Sequence, residues 1–151
     1  MNKISIQGED FDVAKELAEL RGDATNIGGI TSFVGLVRDN NLDDEVLGMS
    51  LEHYPGMTEK SLEKIIVEAC ERWEVLSSTV IHRVGDLLPA DQIVFVAVAS
   101  SHRGDAFEAC EFIMDYLKTR APFWKKELLK DGTARWVDAR ETDSSAANRW
   151  A

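Results

Sequence analysis

The chain has 151 residues, of which 44% are hydrophobic and 29% are charged, a composition typical of a soluble protein that forms one domain over residues 1–151. Its 17 basic and 27 acidic residues give a net charge of −10, which argues against nucleic acid or an anionic membrane as the main partner. No apolar run approaches the roughly 20 residues that span a bilayer, and the first residues do not form a secretory signal, so we expect a cytoplasmic protein.

The first part of the chain is predicted to contain strands around one short helix. Alternating apolar residues favour strands, and the spacing of Val13, Leu17 and Leu20 favours a helix. In chain order, we predict a strand at 3–7, a helix at 11–20, a strand at 30–37, an exposed polar loop at 38–44 and a strand at 46–54.

Two long helices and three further strands are predicted next. Thr58 is the expected N-cap of a helix that runs to about Trp73. Strands are expected at 78–84 and 92–100, and the second is so apolar that we place it in the centre of a sheet. A serine pair at 100–101 is expected to cap a helix over 103–120, whose buried face is predicted to comprise Phe107, Cys110, Met114 and Leu117.

A β-hairpin is predicted near the C-terminus, because Asp131 and Gly132 separate two short strand-like runs at 124–129 and 134–137. Hairpins mixed with long helices indicate an α+β fold rather than a regular parallel sheet. Cys70 and Cys110, the only cysteines, are both expected to be buried free thiols, because a disulfide framework or zinc site would need more cysteines at closer spacing.

Candidate anion-binding residues lie at two places on the long C-terminal helix. His102 and Arg103 lie at its start, where free amide groups and the helix dipole favour an anion, although on this evidence alone an ordinary capped helix with a solvated arginine is the favoured alternative. Lys118 lies in its last turn and is followed by Lys125 and Lys126, beside aromatic residues that would partly desolvate an ammonium group. A purely structural role for Lys118, stabilised by the helix dipole, is also credible.

Distance separates these two groups within one chain. Arg103 and Lys118 are fifteen residues apart on the predicted helix, hence roughly 22 Å apart. Either the groups serve different ligands, or a symmetric dimer brings the helix start of one chain near the helix end of the other, which we favour. Arg38, between a strand and a polar loop, is a further candidate, with a surface arginine as the alternative. No metal-ligand cluster is evident, and we expect no metal.

Several long motifs in order resemble the large, catalytic subunit of molybdopterin synthase, over about residues 28–150. They are GLVRD at 35–39, LEHYPGM at 51–57, VIHRVG at 80–85, SHR at 101–103 and FIMDYLKTRAPFWK at 112–125. The resemblance implies an α/β-hammerhead-type α+β fold with an added small antiparallel β-hairpin subdomain. It also implies a homodimer at the core of a heterotetramer, with a small ubiquitin-like sulfur-carrier subunit at each end.

The implied reaction is a sulfur transfer that requires no cofactor. The C-terminal glycine of the small subunit carries a thiocarboxylate, whose sulfur passes to the substrate, cyclic pyranopterin monophosphate, twice, to form the dithiolene of molybdopterin. By resemblance, Lys118 and Lys125 are catalytic, and the substrate-binding set is Arg38, His102, Arg103, Lys118, Lys125, Lys126 and the weaker candidate Arg140.

Two other functions remain to be distinguished. One is a non-catalytic docking module for a ubiquitin-like protein, which loss of Lys118 or Lys125 would have favoured, but both are present. The other is a phosphometabolite-binding protein without a protein partner, which leaves the motif at 112–125 unexplained.

Overall fold

Two sheets and four helices form the fold, in a computed structural model that describes residues 1–137 and 141–151. The strands are β1 Asn2–Gln7, β2 Gly29–Leu36, β3 Asn40–Asn41, β4 Asp44–His53, β5 Ser77–Arg83, β6 Gly85–Leu87, β7 Gln92–Ser100, β8 Phe123–Leu129 and β9 Ala134–Val137. The helices are α1 Val13–Arg21, α2 Met57–Arg72, α3 Arg103–Arg120 and α4 Glu141–Asn148. No helix in these ranges is long and apolar enough to cross a membrane. The predicted α+β class is confirmed.

The first sheet has the order β1-β5-β7-β2, in which β1 and β5 are parallel and the other pairs are antiparallel. Between its polar end residues Gln92 and Ser100, β7 is apolar because both faces of the sheet are covered. Val94, Val96 and Val98 belong to the core under α2 and α3, whereas Phe95 and Ala97 pack in the smaller core under α1. The central position predicted for this strand is therefore confirmed.

The second sheet has the order β3-β4-β8-β9, and β6 also pairs with β4. β8 and β9 form the predicted hairpin, whose turn contains Gly132 at a φ of 84°, a conformation that favours glycine. Leu51 of β4 is buried and is paired with Lys125 of β8, and because paired side chains share a face of the sheet, Lys125 lies on its inner face. β3, β6 and α4 were not predicted, and the first lies within the segment expected to be a polar loop.

Both predicted helix caps are wrong. α2 begins after Gly56, and Thr58 lies inside its first turn, where the hydroxyl group donates to the carbonyl oxygen of Pro122 at 2.9 Å. The same hydroxyl oxygen accepts a hydrogen bond from the Tyr54 amide at 2.9 Å, so Thr58 ties α2 to the start of β8. α3 has His102 rather than a serine at its N-cap position, with no side-chain cap hydrogen bond.

The buried face of α3 differs in part from the prediction. Cys110 and Leu117 are buried, but Phe107 is 59% exposed, because the face turned to the core instead begins at Ala106 and continues through Ala109. Burial raises the pKa of the Cys110 thiol to about 12, which keeps it protonated and unreactive at neutral pH. The expectation that Cys70 is buried is wrong, since it lies on the exposed side of α2.

Candidate active site

A cavity of about 500 Å³ lies where the two sheets meet the last turn of α3. Arg38, Lys118 and Lys125 all line it. Arg38 follows the end of β2, Lys118 lies in the last turn of α3 and Lys125 is in the middle of β8. The fold thus brings together, within one chain, three cationic side chains that are up to 87 residues apart in sequence (125 − 38). Such a lining favours an anionic ligand.

The floor of the cavity includes His82 of β5 and Phe123 of β8. Their rings are stacked, with centroids 3.9 Å apart and an interplanar angle of 18°. His82 is 4% exposed, and its Nδ1 is 2.8 Å from the carbonyl oxygen of Arg83. Burial, helped by the positive charges of Lys118 and Lys125, lowers the pKa of His82 to about 4, so the imidazole is neutral at physiological pH.

A buried carboxylate forms part of the wall. Glu127 is 2% exposed and accepts hydrogen bonds from Asn41 Nδ2 at 3.0 and 3.1 Å and from Arg135 Nε at 3.2 Å. Arg135 also contacts Asp44 at 2.7 Å, and this bond and the one to Glu127 raise the pKa of its guanidinium group. Glu127 is two residues from Lys125 on the same side of β8, so the cationic lining has a fixed acid beside it.

Lys126, which the sequence placed in the substrate-binding set, does not line this cavity. Side chains alternate between the two faces of a strand, so Lys126 points away from its neighbour Lys125. Its Nζ lies 5.6 Å from the ring centroid of Trp136, which is exposed on the outer face of the hairpin. This geometry fits a cation–π contact.

His102 and Arg103 also lie away from this cavity, at the opposite end of α3. Both are exposed, and the helix is continuous, so the separation of roughly 22 Å between Arg103 and Lys118 stands. The amide of Ser101, just before the helix, donates to Glu74 Oε1 at 3.0 Å, so a carboxylate of the chain itself occupies part of the predicted anion position. Arg140 lies outside the described residues.

Sequence reasoning missed His82, Glu127 and the rim residue Asp143 of α4. A single histidine in an apolar strand resembles an ordinary core residue, and Asp143 belongs to a helix that was not predicted. Glu127 could have been found, because the hairpin prediction and strand alternation together place it on the same face as Lys125.

Comparisons with known proteins agree with one another. A model of the family described as MoaE protein matches residues 6–120. The chain is 59% identical over 150 residues to the molybdopterin synthase catalytic subunit of Ralstonia nicotianae, covering 99% of this chain and 85% of that protein.

Solved structures are similar as well. The molybdopterin biosynthesis MoaE protein from Burkholderia ambifaria has a TM-score of 0.84 at 59% identity, with 99% of this chain and 98% of that chain covered. A complex of subunits 1 and 2 of molybdopterin-converting factor from Helicobacter pylori has a TM-score of 0.70 at 24% identity, with 93% and 90% covered, a likeness that supports the fold alone.

Proposed function

Because this chain belongs to the MoaE protein family, and is a sulfurtransferase subunit that carries the catalytic role in molybdopterin synthase, we propose that the cavity beside Lys118 is its reaction site. The observation that supports this proposal is the convergence of Arg38, Lys118 and Lys125 in one cavity. The proposed substrate is cyclic pyranopterin monophosphate. The proposed sulfur donor is the C-terminal thiocarboxylate of a small ubiquitin-like subunit, and no cofactor is required.

The roles of the cationic residues follow from their chemistry. Arg38 can hold phosphate oxygens with two parallel hydrogen bonds, which a lysine cannot do. Lys118 is proposed to position and polarise the arriving thiocarboxylate, and Lys125 to stabilise negative charge that develops as the substrate ring opens. Lys125 is half-buried, so its charge is screened less than in water, whereas Arg38 and Lys118 are exposed.

The neutral state of His82 suits this reaction. A protonated imidazole at the floor would repel Lys118 and Lys125, and would cost free energy in a buried position. A neutral ring can instead stay buried beside these cations, stacked on Phe123.

The partner is proposed to be the small sulfur-carrier subunit, held by a homodimer of this chain in a cytoplasmic heterotetramer. Two observations support an assembly of this kind. One is that the curated relative is called a catalytic subunit, a name that implies at least one other subunit. Phe33 and Phe107, which are 45% and 59% exposed, line a groove between β2 and α3 that also reaches Lys118. Exposed apolar patches of this kind mark protein contact surfaces.

Such a dimer would also give His102 and Arg103 a role in substrate binding, since they would approach the cavity of the other copy. We further propose that the fold is of the α/β-hammerhead type, with β8 and β9 as the added hairpin, and that residues 1–151 form one domain. Lys126 is left out of the proposed site because it faces the outer surface of the hairpin.

The test is reconstitution of sulfur transfer. The chain is mixed with the thiocarboxylated small subunit and the cyclic pterin, and dithiolene formation is measured for the wild type, Lys118→Ala, Lys125→Ala and the matched control Lys126→Ala. We expect the first two substitutions to lower the rate at least about 100-fold, as loss of a charge-stabilising group does, and the control to leave it nearly unchanged. A wild-type chain that binds the small subunit without forming product would instead be a docking module.

A further inference from the structure

His82 is a buried polar residue of the cavity to which the proposed mechanism assigns no hydrogen bond with the substrate. It lies on β5 and lines the cavity with Lys118 of α3 and Lys125 of β8. A histidine that is 4% exposed and stacked on Phe123 is held in one orientation, because packing leaves the ring no other position. Its ring nitrogens therefore have fixed directions.

The tautomer of His82 follows from its neighbour. Nδ1 is 2.8 Å from the Arg83 carbonyl oxygen, which can only accept, so Nδ1 carries the proton. In a neutral imidazole the other nitrogen, Nε2, is then a hydrogen-bond acceptor. Burial and the positive charges of Lys118 on α3 and Lys125 on β8 keep the ring neutral by lowering its pKa, and His53 of β4 also faces it.

Among the described residues that line the cavity, the other side-chain acceptors belong to Asn40, Asn41, Glu127 and Asp143, and none of them lies on β5. Arg38, Lys118 and Lys125 are donors only. The oxygens of Glu127 already accept from Asn41 and Arg135, and Asp143 lies at the rim on α4. A nitrogen heterocycle with N–H groups needs an acceptor where its ring lies, and a donor left unpaired there would cost binding free energy.

We propose that His82 is a substrate-recognition residue whose Nε2 accepts a hydrogen bond from a ring N–H of the bound heterocycle. This inference rests on the proposed function and adds a residue to it. The acceptor at the floor and the cations at the mouth together orient the substrate, with its N–H edge towards β5 and its phosphate towards Arg38. A heterocycle without an N–H at that edge would leave Nε2 unpaired and would bind less tightly.

Three substitutions of His82 separate recognition from packing. His82→Gln keeps an acceptor near the position of Nε2, whereas His82→Phe keeps the ring stacked on Phe123 and has no acceptor. His82→Asn keeps a donor for the Arg83 carbonyl but is too short to place an acceptor at Nε2. All three are compared by KM and kcat for dithiolene formation, by calorimetric binding of the cyclic pterin, and by thermal unfolding.

We expect His82→Phe and His82→Asn to raise KM and Kd about tenfold, the value of one good hydrogen bond, with a smaller change in kcat. His82→Gln should restore both constants to within about threefold of the wild type. The inference is overturned if His82→Phe binds like the wild type, or if His82→Gln is as weak as His82→Asn while both remain folded. If the wild type forms no dithiolene, the proposed function fails, and the calorimetric comparison still decides the role of His82.

Discussion

Acidification should destabilise this protein through His82 before its carboxylates are protonated. The folded pKa of His82 is about 4, whereas the unfolded value is 6.5. Between these two pH values the unfolded chain binds a proton that the folded chain does not, so the free energy of unfolding falls as the pH falls. The contribution of His82 is fully present above pH 6.5 and is lost progressively as the pH approaches 4.

The magnitude follows from the shift. The pKa of His82 is about 4 in the folded chain and 6.5 in the unfolded chain. Linkage therefore lowers the free energy of unfolding by about 2 kcal/mol at about pH 5, and by about 3 kcal/mol once the pH is below both pKa values. This is a large fraction of the stability of an ordinary domain, typically about 5–15 kcal/mol.

The assay is urea unfolding of the wild type and His82→Gln at about pH 7.5 and about pH 5, with the slope of each transition checked for constancy. The glutamine cannot titrate, so the variant should lose about 2 kcal/mol less than the wild type between the two conditions. Other titrating groups are common to both proteins and cancel in the difference. Equal losses in the two proteins would refute the account of a neutral, buried imidazole.

Three further predictions concern stability and assembly. Glu127→Ala leaves Arg135 and Asn41 without their buried acceptor and should lower the free energy of unfolding by about 2 kcal/mol; a loss below about 0.5 kcal/mol would contradict this. Trp150→Ala removes edge contacts to the rings of Trp73 and Phe112 and a 2.6 Å hydrogen bond to Asp115. Thermal unfolding should show that the free energy of unfolding falls by about 3 kcal/mol. An unchanged melting temperature would show that these contacts do not stabilise the fold. Phe107→Glu should convert the proposed dimer into a monomer in sedimentation experiments while changing monomer stability by less than about 0.5 kcal/mol; a persistent dimer would exclude this groove.

The elements with strong local patterns were predictable from the sequence. β7 is apolar because helices cover both faces of its sheet, and the hairpin turn requires a residue that tolerates positive φ, which Gly132 supplies. These features depend on neighbours in sequence or on simple burial. The cap of α2 was not predictable from local sequence. The Thr58 hydroxyl group donates a hydrogen bond to the carbonyl oxygen of Pro122, 64 residues away, and is therefore not available as a cap.

The site was predictable only in part, for a similar reason. Lys118, Lys125 and Arg38 could be proposed from motifs, and the fold then brings them together. Strand alternation in β8 alone separates Lys126 from Lys125, because neighbouring side chains lie on opposite faces of a strand. His82 could be identified as a site residue only from the structure. Its ring stacks on Phe123 and its Nδ1 is hydrogen-bonded to the Arg83 carbonyl oxygen, and these two contacts distinguish it from an ordinary core residue.

The length of α3 leads to a test of whether one reaction site draws on two copies of the chain. Lys118 lines the cavity, whereas Arg103 lies roughly 22 Å away at the other end of the same rigid helix. If Arg103 serves the site, it must serve the cavity of the partner copy in a symmetric dimer. Arg103→Ala and Lys118→Ala should then each inactivate both sites of a homodimer.

Co-expression of the two variants distinguishes a shared site from separate ones. In a mixed dimer, one site contains both substitutions and the other contains neither, so it is intact. Random pairing makes about half of the dimers mixed, and therefore about a quarter of all sites intact, which predicts recovery of about 25% of wild-type dithiolene formation from two inactive parents. Full activity of Arg103→Ala alone would show that the helix start has no part in the reaction. Two inactive parents without recovery in a confirmed mixed dimer would show that the residues do not meet across an interface.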